Sequence, residues 1–183
     1  ETMSKIIEVK DPYTAGHQKR VSQLAAAIAK ELNLSPDKIE GIRIASLIHD
    51  IGKISVPTEI LSKSTTLSDL EFSLIKEHSQ TGYDILKPID FSYPVAQIVL
   101  QHHERINGTG YPNKLKDKEI LPEAKIICVA DVVEAMSSHR PYRPALGIDV
   151  ALEEISKSKG ILYDPEVVDV CFKLFKEKEF KFE

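Results

Sequence analysis
The sequence is poor in the features that mark several large protein classes. It has only two cysteines, Cys128 and Cys171, among 183 residues. Both stand in apolar helical patterns, which suits reduced core thiols rather than a disulfide framework or a cysteine metal site. No apolar run approaches the roughly 18 residues of a membrane span, and no secretory signal opens the sequence. The expected compartment is a reducing cytosol, so the expected localisation is cytoplasmic. Excess positive charge is missing too. The 24 Lys and Arg against 28 Asp and Glu leave a net charge of −4. No polymeric nucleic acid is therefore expected as a partner, because no basic surface is available to follow a phosphate backbone. Alternating apolar and polar residues are scarce, which argues against strands. There is no internal repeat and no low-complexity tract.

What is present is helical periodicity in a chain of ordinary composition, 42% hydrophobic and 28% charged. Residues 1–183 read as one all-α domain of about seven or eight helices. Residues 1–10, with Ile6, Ile7 and Val9 on one side, read as the end of a linker helix from a missing upstream domain, broken at Asp11-Pro12. A long helix carries Val21, Leu24, Ala25, Ile28 and Leu32 on one face. Ser35-Pro36 starts the next, which runs through Ile39, Ile42 and Leu47 to about Gly52. Ser68-Asp69-Leu70-Glu71 is a capping box opening a helix to about Leu86. Another covers roughly Tyr93 to His103. A long loop over 104–121 follows, and helix resumes near Glu123. The last two helices start near Asp149 and at Asp164-Pro165, the latter including Val168, Cys171, Phe172 and Phe175.

Five of the six histidines fall at special places. His17 leads a helix, His49-Asp50 and His102-His103 each end one, and His78 lies late in another; Asp131 lies inside the helix after the loop. The steps from His17 to His49, His49 to His78, His78 to His102 and His103 to Asp131 are 32, 29, 24 and 28 residues. Each is about one helix and one connection, so in a bundle each helix can offer a ligand to one shared centre. Imidazole with carboxylate suits iron, manganese or zinc. Adjacent helical residues point about 100° apart, so the two doublets suit two metals better than one, and Asp50 with its two oxygens can bridge them. Taken singly, each histidine has a plainer reading as a hydrogen-bonded core or surface residue, and the positive ends of His102-His103 would suit a helix C-terminus. It is the joint pattern that argues for metal. His139 stands outside it and reads as a surface residue.

In this order, the stretches "DPYTAGHQKRV", "LIHDIGKISVP", "IKEHSQTGYDIL", "QHHERINGTGYP" and "VADVVEAMSSHRPYR" resemble the HD-GYP family of the HD phosphohydrolase superfamily, from Asp11 to about Pro165. The HD doublet alone is common; with His102-His103 and Gly110-Tyr111-Pro112 it is specific. The resemblance implies an HD-domain-like bundle around a di-metal or tri-metal centre. It implies hydrolysis of a bacterial cyclic dinucleotide, usually cyclic di-GMP, to linear pGpG or GMP by attack of a metal-bridging hydroxide. It assigns His17, His49, Asp50 and Asp131 to one metal and Asp50, His78, His102 and His103 to the other, with iron or manganese expected. Lys53 would contact the scissile phosphate, and Arg140 and Arg143 the nucleotide. A sensor or receiver domain commonly precedes such a domain in this family.

The chain departs from the family pattern in places. Asn107 stands where the loop usually has aspartate. Glu134 replaces an aspartate three residues after Asp131. Lys114 and Asp117 replace loop glycines, and Tyr13 stands where members with three metals have glutamate.

The residues themselves support the chemistry. Two dications would neutralise a phosphodiester that otherwise repels hydroxide. Lys53, one helical turn past the doublet, can reach the same centre and stabilise the leaving 3′ oxygen or the phosphate; its plain reading is a helix C-terminal cation. Arg140 and Arg143 have the fork that fits guanine O6 and N7, or are solvated charges. Gly108 and Gly110 allow a tight loop through positive φ. A phenol at Tyr13 is a poor ligand at neutral pH, and Asp11 would reach the site only through a chain reversal, so two metals are expected rather than three. Two other readings stay open: a nucleotide or protein receptor without turnover, and another HD hydrolase acting on nucleoside triphosphates or (p)ppGpp.

Overall fold
The computed structural model describes residues 2–11, 14–139 and 144–182. Among them are nine α-helices and no strand: α1 (Thr2–Lys10), α2 (His17–Glu31), α3 (Pro36–Ile48), α4 (Thr58–Leu61), α5 (Asp69–Leu86), α6 (Val95–Gln101), α7 (Pro122–Ser137), α8 (Ile148–Lys157) and α9 (Pro165–Lys176). Short 3₁₀ turns cover Ile51–Ser55 and Asp117–Glu119. No described helix is long and apolar enough to cross a membrane.

The α2 face legible in the sequence is the heart of the core: Val21, Leu24, Ala25 and Ile28 are fully buried. They meet Ile42 and Ala45 of α3 and Ile126, Ala130 and Val133 of α7 in one apolar cluster, which α8 and α9 extend with Leu152, Ile155, Val168 and Cys171. Cys128 and Cys171 are free, buried thiols. The capping box forms as read: Ser68 Oγ accepts from the Glu71 amide at 3.3 Å, and Glu71 accepts from the Ser68 amide at 2.7 Å. Asp164 caps α9 by accepting from the amide of Glu166 at 3.0 Å.

Three details of the sequence reading change. Among the described side chains of α1 only Ile7 is buried; Ile6 is 46% and Val9 83% exposed, because residues one apart on a helix point in different directions. The helix from Pro36 stops at Ile48 rather than near Gly52, and the chain tightens into the 3₁₀ turn. Phe172 of α9 is 42% exposed, outside the core.

Gly52 explains that tightening. A Cβ there would lie 1.9 Å from the carbonyl oxygen of His78 and 2.6 Å from the amide of Gly82. Only a residue without a side chain lets the turn touch the α5 backbone. That contact sets the His49-Asp50 doublet beside His78.

Candidate metal centre
The ends of α3 and α6, the start of α2 and the middles of α5 and α7 converge on one buried site. His17, His49, Asp50, His78 and His102 are each at most 3% exposed. His17 Nε2 lies 3.2 Å from Asp131 Oδ1 and 3.9 Å from Asp50 Oδ2. His49 Nε2 lies 3.6 Å from Asp50 Oδ2, and His78 Nε2 3.6 Å from Asp50 Oδ1. Asp50 thus faces His17 and His49 with one oxygen and His78 with the other. Two groups have ligand atoms close enough together to hold one ion each: His17, His49 and Asp50, and His78, His102 and His103. The seven residues picked from the sequence are all brought together here.

The imidazoles are oriented for coordination. His49, His78 and His102 direct Nδ1 at the carbonyl oxygens of Ser46, Ile75 and Val99, at 2.7, 2.6 and 2.6 Å. A carbonyl only accepts, so Nδ1 carries the proton and Nε2 presents a lone pair inward. His78 Nε2 and His102 Nε2 are 3.3 Å apart. Two lone pairs facing each other in a buried site are unfavourable unless they share an electron-pair acceptor. A divalent cation satisfies both, and the donor set of imidazole and carboxylate fits a transition metal.

Electrostatics agree with that fit. Burial drives the His102 pKa down to about 3, with the neighbouring His49 and His78 adding to the effect. Burial likewise holds His103 well below its ordinary value. These rings are neutral, as ligands must be. Burial opposes ionisation of Asp50, but the positive charge beside it, the Lys53 ammonium first, outweighs that cost and keeps the carboxyl well below the usual range. Asp131 is held low in the same way, with His17 as its main partner against the cost of burial.

Lys53 does reach the centre, with Nζ 3.0 Å from Asp50 Oδ2. Its second partner is Asp11, at 3.1 Å. Asp11 is 6% exposed and so lies buried beside the centre through that ion pair. Arg140 and Arg143 lie outside the described residues, as does Tyr13. His139 is exposed.

Two glutamates matter that sequence reasoning did not place in the site. Glu134, noticed only as a departure, is fully buried. It accepts a hydrogen bond from His17 Nδ1, from Arg20 Nε at 2.7 Å and from Ser138 Oγ at 2.6 Å. Burial raises its pKa, but these partners prevail and bring it down to about 2. It does for His17 what backbone carbonyls do for the other rings. Glu104, directly after the histidine doublet, accepts from the amides of Asn113 and Leu115 at 2.7 and 3.0 Å. It ties down the loop that carries Tyr111, whose ring stacks on His103 at 4.7 Å between centroids. A carboxylate beside a loop reads in sequence as a solvated charge, and nothing in the periodicity distinguishes it.

The loop departures have local explanations. Lys114 adopts φ 55°, the left-handed conformation that a glycine takes easily. Gly108 has φ 82° as expected. Gly110 serves close approach instead of positive φ, since a Cβ there would lie 2.4 Å from the Arg105 amide. Asn107 closes a turn, with its side-chain oxygen accepting from the amide and hydroxyl of Thr109 at 3.1 and 2.7 Å.

A helical bundle that gathers five imidazoles and two carboxylates around one centre has the donor set of a histidine–aspartate metal site. The chain belongs to the HD domain family, whose pattern matches residues 1–167. It is 40% identical to a cyclic di-GMP phosphodiesterase of Thermotoga maritima over 181 residues, which is 97% of this chain and 49% of that protein. It is 38% identical to the cyclic di-GMP phosphodiesterase response regulator RpfG of Xanthomonas campestris, over 94% of this chain and 47% of the relative. Among solved structures, a cyclic GMP-AMP specific phosphodiesterase of Vibrio cholerae superposes with a TM-score of 0.73 at 20% identity, covering 97% of this chain and 48% of that one. At that identity the likeness concerns the fold alone. The chain spans about half the length of the curated relatives it matches.

Proposed function
We propose that this chain carries a divalent-metal-dependent phosphodiesterase centre that hydrolyses a bacterial cyclic dinucleotide, cyclic di-GMP first, to pGpG, GMP or both. The observation that carries the reading is Asp50, whose two oxygens face two separate groups of inward-directed histidines. His17, His49, Asp50 and Asp131 would hold one ion, and Asp50, His78, His102 and His103 the other, with iron or manganese as the metal. Bound divalent ions would neutralise the phosphodiester oxygens and acidify a water at neutral pH.

The chain's own groups supply the rest. The anchored imidazoles keep their geometry while substrate binds, because their Nδ1 protons are already committed to hydrogen bonds. The Lys53 ammonium, beside Asp50, is positioned to stabilise negative charge on the phosphate or on the departing 3′ oxygen. Asp11 limits where that ammonium can go. Arg140 and Arg143 remain the proposed contacts to guanine. The names of the relatives support the substrate class, and the response regulator among them supports an upstream receiver or sensor domain in a cytoplasmic signalling protein.

The test is direct. The protein is incubated with manganese or ferrous iron and with cyclic di-GMP or 3′3′-cGAMP, and the products are resolved by chromatography. Linear products that require added metal support the reading. Tight nucleotide binding without turnover would replace it with the receptor reading.

A further inference from the structure
A cyclic dinucleotide carries two phosphates on one closed ring. Only one of them can lie at the histidine–aspartate centre at a time. The other is held to one side by the sugar between them, and its charge needs a cation that the centre does not provide. Lys53 is already engaged by Asp50 and Asp11.

Lys76 of α5 is placed for this role. Its Nζ lies 4.5 Å from the centroid of the Phe72 ring and 5.8 Å from that of Tyr111. Tyr111 in turn lies 4.7 Å from the His103 ring and 6.4 Å from that of His78. The ammonium is therefore one aromatic ring away from the metal ligands. The contact with Phe72 is an ordinary helical pairing four residues apart. The contact with Tyr111 is not, since that ring comes from the loop that Glu104 ties down. Aromatic faces position an ammonium without cancelling its charge. Among the described residues Lys76 pairs with no carboxylate, unlike Lys53, Lys63 and Lys87. Phe72 is 44% exposed, an apolar ring left facing solvent next to that charge.

We propose that Lys76, set between Phe72 and Tyr111, binds the uncleaved phosphate of the cyclic dinucleotide, and that the exposed Phe72 ring is the wall on which the adjoining purine stacks. This subsite rests on the phosphodiesterase reading above. Bases of any identity stack on a phenyl ring, so the subsite favours cyclic dinucleotides over simple phosphodiesters without choosing between guanine and adenine.

The experiment uses the metal-loaded chain and two substrates, cyclic di-GMP and bis(p-nitrophenyl) phosphate, which has neither a second phosphate nor a purine. Lys76→Ala is expected to raise KM for cyclic di-GMP about tenfold, the worth of one charge-assisted contact, with kcat within about twofold. Lys76→Arg restores most of the loss. Phe72→Ala raises KM by a few-fold, and Phe72→Tyr restores it. The loss in kcat/KM for Lys76→Ala is at least fivefold larger on the dinucleotide than on the simple diester. Melting curves identify a misfolded variant, and Lys76→Met, which keeps the aliphatic stem, then reads the charge alone. An unchanged KM, or equal losses on both substrates, overturns the subsite while leaving the phosphodiesterase reading intact. If the unsubstituted protein cleaves the simple diester but neither binds nor cleaves cyclic di-GMP or 3′3′-cGAMP, the cyclic-dinucleotide reading falls and the subsite falls with it.

Discussion

The two sides of the centre are oriented by opposite means. On the α3, α5 and α6 side, His49, His78 and His102 each donate Nδ1–H to a carbonyl three residues earlier in the same segment. On the α2 and α7 side, His17 is oriented by Glu134, 117 residues away in sequence. The first arrangement is built into helix geometry and cannot be removed by changing the side chain of an acceptor. The second depends on a tertiary contact, itself supported by Arg20 and Ser138. Charge follows the same division. Asp131, Glu134 and one oxygen of Asp50 surround His17, whereas His78, His102 and His103 meet mostly one another. One side is rich in compensating carboxylates; the other depends on neutral imidazoles.

The largest expected effect comes from removing Asp50, which both ligand groups share, together with its neighbour His49. His49→Ala with Asp50→Ala should strip bound metal from both groups and lower turnover of cyclic di-GMP by at least about a thousandfold, on the order of the loss of an essential charge-stabilising group. Far-UV circular dichroism should show the helices retained, because the core built by α2, α3 and α7 does not depend on these side chains. Bound metal and normal turnover in this variant would contradict the proposed ligand set.

Next comes a change on the carboxylate side alone. Glu134→Ala should weaken metal binding by about 10–100-fold, the usual effect of losing the partner that orients a ligating histidine. Metal titration should show one ion weakened far more than the other. Glu134→Asp should fall between, since a shorter carboxylate must serve His17 and Arg20 together. If both ions weaken equally, the two sides are not independent in the sense drawn here.

Gly52→Ala acts on the joint between them. The added methyl meets the His78 carbonyl, and overpacking of this kind costs about 1–3 kcal/mol. The melting midpoint should fall by several degrees. Metal should be lost first from the His78, His102 and His103 group, because the turn and α5 are pushed apart.

The smallest effect lies outside the centre, at the start of α5. The Lys63 ammonium, with the amide and hydroxyl of Ser68, brings the Glu71 pKa down to about 2 from an ordinary 4.5. A depressed carboxyl contributes its stability fully above the unfolded value and loses it as pH falls through the folded one. The stability difference between the protein and Glu71→Gln should therefore be constant near neutrality and shrink between about pH 4.5 and 2, as read by denaturant midpoints. A difference that grows in acid would reverse the sign of the argument.

Much of this was legible in the sequence because it is local. Helix spans follow from apolar periodicity, and Ser68-Glu71 and Asp164-Pro165 fix helix starts through contacts within three residues. The histidines and Asp131 stood out because residues of metal-binding chemistry recur about once per helix, and a bundle brings such stations together. The face of α2 was legible in the same way. The face of α1 was not, because apolar residues at 6, 7 and 9 cannot all point one way, and only the neighbours decide that Ile7 goes in.

The sequence by itself determined the helices, their order and the placing of about one histidine or aspartate station per helix, since each depends on residue type and short-range spacing. Only the tertiary structure decided which side chains support that set. Asp11 pairs with Lys53, 42 residues away in sequence, Glu134 reaches His17 across the bundle, Glu104 holds the loop, and Lys76 meets Tyr111 from another segment. The physical reason is the same for all four. A charged side chain on a helix or loop is stable in water wherever it points, so nothing local specifies its partner. Its role is fixed only when packing removes the water and leaves one polar group within reach.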